Sequence, residues 1–106
     1  MKILLDYDLP ADFRFCLSPH DADAADWVGL RMRSDEQLIR AAEDRGYDVL
    51  LLVDDGMPSG SFLPGRQLVV VTIPKAKARL SLLIPMKEAI LNKAELAAAG
   101  ETVAID

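Results

Sequence analysis

Three short runs of this chain are apolar at every position: ILL at 3–5, VLLLV at 49–53 and LVVV at 68–71. A strand sends successive side chains to opposite faces. A run that is apolar on both parities must therefore be covered on both sides, as strands of a parallel sheet between helices are. A sheet with one wet face is excluded by that pattern. Two of the runs also end in carboxylates: KILLDYD places Asp6 and Asp8 after the first, and VLLLVDD places Asp54 and Asp55 after the second.

The rest of the chain supplies the covering helices. Residues 2–6 read as a short buried strand. Asp8-Leu9-Pro10 then opens a helix, with Asp8 as its cap and Pro10 in the first turn. Leu9, Phe13 and Cys16 or Leu17 form its apolar stripe, and Ser18-Pro19-His20 ends it. DADAAD, at 21–26, alternates polar and small residues and reads as a weak strand. Ser34 with Gln37 has the form of a capping box. The helix it starts runs to Arg45, with Leu38, Ile39, Ala41 and Ala42 inward and Gly46 closing it. A strand at 47–55, a loop from Gly56 to Gly65, and a valine-rich strand from Gln67 to Ile73 follow. Residues 76–84 and 86–98 read as helices, with Pro85 between them. Thr102 to Ile105 is a last short strand. Strands alternating with helices predict an α/β fold with a mostly parallel sheet of four to five strands.

At 106 residues the chain is sized for one domain, and its 51% hydrophobic content is ample for a core. A single cysteine, Cys16, excludes an internal disulfide and a thiolate metal cluster, and places the chain in a reducing cytoplasm. No apolar run approaches the roughly 20 residues of a membrane span. Seventeen acids against twelve bases leave a formal charge of −5. That is not the footprint of a broad basic nucleic-acid surface, although an acidic pocket neutralised by divalent metal is compatible with it.

In parallel sheets ligands gather at the carboxyl ends of the strands. Asp6, with Asp8, and Asp54, with Asp55, fall at that edge, and Asp35 or Glu36 stands at a helix start. Clustered carboxylate oxygens suit Mg²⁺ or Mn²⁺, and such ions activate water for phosphodiester cleavage. The same acids also have a plain reading as a cap, a first-turn acid and a turn. His20, the only histidine, reads as a surface turn residue, and Cys16 as core. Arg31, Arg33 and Lys75 are scattered surface bases unless the acids converge, in which case they would grip an RNA backbone. Trp27 reads as a packing residue rather than a base-stacking platform; Met57, Met86, Phe13 and Phe62 read as core fillers or loop anchors. No Walker loop, GxGxxG or zinc spacing is present.

Four segments together resemble one family. KILLDYDLP is similar to an opening that usually reads Asp-Glu-Asn-Leu-Pro. Gly29-Leu30 through Ser34-Asp35-Glu36-Gln37-Leu38 is similar to a Gly-Leu, Ser-Asp, Leu segment. GYDVLLLVDDGMP and GRQLVVVTIP match the block and strand that follow. The family is the PIN-like DUF5615 group, related to the Mut7-C ribonuclease domain and more distantly to VapC-type toxins. The resemblance covers nearly the whole chain. It implies a single PIN-like domain, a three-layer sandwich, with metal-dependent ribonuclease chemistry on Asp6, Asp35 and Asp54. Asp8 stands where the family usually has Asn, Leu52 where it has Thr, and Asp55-Gly56 where it has a basic-then-amide pair. Asp8 or Asp55 would then serve as a fourth acid.

The first expectation is thus a Mg²⁺- or Mn²⁺-dependent endoribonuclease, the toxin of a toxin–antitoxin pair. Its partners would be RNA, a cognate antitoxin and a second copy in a homodimer, with no membrane. The alternative is a catalytically silent PIN-like protein-interaction module. A small phosphatase-like or receiver-like domain, with the acids as Mg²⁺ site and phosphoacceptor, ranks third.

Overall fold

All three continuously apolar runs are strands, and they lie side by side in the interior of one sheet. The computed structural model describes residues 1–30, 35–54 and 67–105; for Asp35 and Asp54 only the backbone is described. Five parallel strands, β1 (Lys2–Leu5), β2 (Asp21–Ala24), β3 (Val49–Asp54), β4 (Val69–Pro74) and β5 (Thr102–Ala104), pair in the order 2-1-3-4-5. Register runs Leu4 to Leu50 and Leu50 to Val70 across the centre. The expected Ser34 cap and the Gly56–Gly65 loop, with Asp55, Met57 and Phe62, lie outside the described residues.

Alternation divides the apolar side chains between two cores. Ile3, Leu5, Val49, Leu51, Val69 and Val71 face Phe13, Leu17, Leu83 and Ile90. Leu4, Leu50, Leu52 and Val70 face Leu38, Ile39 and Ala42. The second set belongs to α1 (Asp35–Asp44); the first to the segment Ala11–Leu17, to α2 (Leu80–Leu83) and to α3 (Lys87–Leu96). The result is the expected three-layer α/β sandwich. Fully burying each such Leu, Val or Phe contributes about 1.5–3 kcal/mol. No helix among the described residues is long and apolar enough to cross a membrane.

The first helix differs from expectation. Ala11–Leu17 is a 3-10 helix, begun at Pro10 without a side-chain cap. Asp8 is not that cap, because the chain turns before it: the Leu9 N–H donates to the Asp6 carbonyl at 3.0 Å. The stripe itself is correct, since Leu9, Phe13 and Leu17 are buried and Cys16 packs against them. In α1 the expected stop holds. Gly46 adopts φ +81°, and the Gly46 and Tyr47 N–H groups donate to the Glu43 and Ala42 carbonyls at 3.0 Å. This is the Schellman pattern that glycine suits because it bears no Cβ.

Tyr47 then ties α1 to the sheet edge, its hydroxyl donating to Asp23 Oδ2 at 2.7 Å. Burial, reinforced by that carboxylate, pushes the phenol up to about 12. The fold therefore favours the neutral phenol, while an unfolded tyrosine ionises near pH 10. This stabilisation is complete below pH 10 and is lost as pH rises through 12. Between those values the melting temperature of the wild type is expected to fall more steeply than that of Tyr47→Phe. Parallel curves for the two proteins would mean that neither burial nor the Asp23 carboxylate raises the phenol in the fold.

Candidate functional site

Asp6 is 3% exposed, and its burial has a specific cause. β1 stops at Leu5 while β3 continues to Asp54, and the Asp6 N–H still donates to the Leu51 carbonyl at 2.9 Å. In a continuing parallel ladder the Asp6 carbonyl would next accept the Val53 N–H. That carbonyl is instead turned to Leu9, and Asp6 Oδ2 accepts the Val53 N–H at 3.2 Å. The side chain stands in for the missing backbone acceptor, which satisfies a buried donor and fixes the carboxylate against β3.

Backbone placement brings the other two acids to the same edge. Position 54 ends β3 opposite Pro74. Leu4 and Leu50 both lie on the α1 face. The strand order reverses between β1 and β3, where open α/β sheets form their binding crevice. Asp35 is the first residue of α1. The other end of α1 turns into β3 at the amino edge, where Asp48 Oδ2 accepts the Lys2 N–H at 2.9 Å. Ten residues span about 15 Å, which carries the start of α1 back toward the carboxyl edge. The side chains of Asp35 and Asp54 lie outside the described residues. Among the described residues no three His, Cys, Asp or Glu side chains gather closely enough to hold a metal.

β1 ends at Leu5, and residues 6–9 turn, so Asp6 and Asp8 do not share one strand. Asp8 is exposed and lines a cavity of about 260 Å³ with Val53, Lys75 and Ala78. Val53 and Ala78 belong to the core opposite α1, so this cavity opens on the other side of the β3 tip. Lys75, just beyond Pro74, lines that cavity.

Of the remaining expected residues, Arg31 and Arg33 lie outside the described set. Glu36 is held on the surface by Arg40 at 3.2 Å, an i, i+4 pair. His20 is a turn residue, as expected: its N–H donates to the Leu17 carbonyl at 2.9 Å. It precedes β2, at the edge away from the acids. Trp27 corrects expectation, for it is 70% exposed rather than packed. Thr72 was not singled out from sequence. It is buried on the α1 face beside Leu52, with its hydroxyl 3.5 Å from the Val103 carbonyl. That Thr72 lies beside Leu52 is a relation that only register reveals.

No protein-family model, curated protein or solved structure matches this chain.

Proposed function

We propose that this chain is a divalent-metal-dependent endoribonuclease of PIN-like type, the toxin half of a toxin–antitoxin pair. One observation supports the reading: Asp6 follows β1 and position 54 ends β3, the neighbouring strands between which the strand order reverses, and Asp35 is the first residue of α1. Their donors are carboxylate oxygens only, the hard ligands that suit Mg²⁺ or Mn²⁺. Asp6, Asp35 and Asp54 would hold the ion. Bound there, it supplies water activation and charge stabilisation for phosphodiester cleavage. The chain's own residues orient and bind. The Val53 N–H fixes the Asp6 carboxylate, and Lys75 offers a cation to a phosphate oxygen of single-stranded RNA at the same edge.

Calorimetry with Mn²⁺ tests the site apart from any turnover. Saturable binding heat is expected for the wild type and none for Asp54→Asn at the same concentrations. Equal heats from both proteins would place the metal elsewhere.

A receiver-like reading draws support from the 2-1-3-4-5 strand order and from Lys75 sharing a cavity with Asp8. It separates cleanly from the first, since a phosphoacceptor domain cuts no RNA.

A further inference from the structure

Two turns leave the carboxyl edge of the sheet and converge. The first, residues 6–9 after β1, carries Asp8; the second follows Pro74 at the end of β4 and runs from Lys75 to Ala78, whose N–H donates to the Lys75 carbonyl at 3.2 Å. Between them lies the cavity of about 260 Å³, lined among the described residues by Asp8, Val53, Lys75 and Ala78. Val53 joins this cavity to the acidic edge, because its N–H is the donor held by Asp6 Oδ2 at 3.2 Å. The residue that fixes the Asp6 carboxylate is also a wall of the cavity.

Charge and pairing decide what the cavity can take. Asp8 and Lys75 are both exposed, and among the described residues neither has a hydrogen-bond or ion-pair partner. Opposite charges that line one cavity without meeting leave a guest to join them. The volume lies just below the roughly 300 Å³ at which pockets for whole small ligands begin, a size for one unit of a longer chain. A bare phosphate would use Lys75 and be repelled by Asp8. A DNA strand brings the same phosphate and no sugar donor for the carboxylate. A ribonucleotide brings both, a phosphate oxygen for Lys75 and a 2′-hydroxyl that can donate to Asp8.

We propose that this cavity takes one sugar–phosphate unit of single-stranded RNA, with Lys75 on the phosphate and Asp8 accepting from the 2′-hydroxyl. The pair then selects RNA over DNA at this edge: Lys75 holds either strand, and Asp8 favours only the one with a hydroxyl. The inference rests on the reading of this edge as an RNA site, though not on cleavage there.

Labelled oligouridine and oligodeoxyuridine differ only in the 2′-hydroxyl, and their fluorescence polarisation in chelator at low salt reports binding without turnover. The wild type is expected to bind oligouridine about tenfold more tightly, the scale of one hydrogen bond to a charged group. Asp8→Ala is expected to bring the two affinities together. Relief of charge repulsion acts on both strands alike, so their ratio isolates the hydroxyl contact. Lys75→Ala is expected to weaken both strands and to lower the slope of log affinity against log salt by about 0.7, the share of one phosphate contact. A ratio unchanged in Asp8→Ala overturns the proposal, as does a salt slope unchanged in Lys75→Ala. A wild type that binds the two strands equally, or binds neither, overturns it too. Loss of the Mn²⁺ binding heat in Asp8→Ala would make Asp8 a metal ligand and overturn it as well. If Asp8 carries the preference in a wild type that cuts no RNA, this inference stands and the nuclease reading falls. If RNA is cut while Asp8→Ala keeps the preference, the reverse holds.

Discussion

Asp54→Asn is expected to lower the rate of single-stranded RNA cleavage by about a hundredfold or more, the scale of losing one group that meets charge in the transition state. The substitution keeps the shape of the side chain and removes one negative charge from the end of β3. Position 54 is the place for the test because it closes the strand that flanks Asp6 at the reversal point of the sheet. Cleavage should require Mg²⁺ or Mn²⁺ and stop in chelator. Glu36→Gln serves as the control, since Glu36 is engaged by Arg40 on the surface of α1 and its loss should leave the rate as it was. Cleavage that persists in Asp54→Asn would come from another site. A wild type that cuts no RNA, with folding and metal binding intact, would leave the silent interaction module as the better account.

The acids at this edge were legible in the sequence for a simple reason. Parallel strands all end at the same edge, so an acid that follows an apolar run is placed without any knowledge of register. The apolar runs themselves identified β1, β3 and β4, because short runs apolar on both parities suit strands covered on both faces. What stayed hidden were relations between strands. That Asp6 replaces its own carbonyl as the acceptor for Val53 depends on β1 being shorter than β3. That Thr72 lies beside Leu52 depends on the pairing of β3 with β4. Asp8 was misread as a cap because the helix begins at Pro10, after the turn that contains Asp8, and has no side-chain cap. Trp27 was misplaced because a lone aromatic among polar residues has no periodicity to show which way it faces.

Asp6 carries both a structural bond and a place among the acids, and thermal melts of two substitutions separate these roles. Asp6→Ala removes the acceptor of the buried Val53 N–H, which should cost about 1–3 kcal/mol. For a domain of this size that lowers the melting temperature by roughly 4–8 °C for each kcal/mol, in chelator and in Mg²⁺ alike. Asp6→Asn keeps an oxygen able to accept the same bond and removes only the charge. Carboxylates held near one another without metal repel, so in chelator Asp6→Asn is expected to melt at or above the wild type. Mg²⁺ should then raise the wild type by mass action and the Asn variant much less, reversing their order. Asp8→Ala, which removes an exposed carboxylate that caps no helix, should melt as the wild type does in both conditions. If Asp6→Asn instead falls as far as Asp6→Ala with and without Mg²⁺, the charge of Asp6 serves the fold alone. The metal site would then rest on Asp35 and Asp54 without the acid that anchors it.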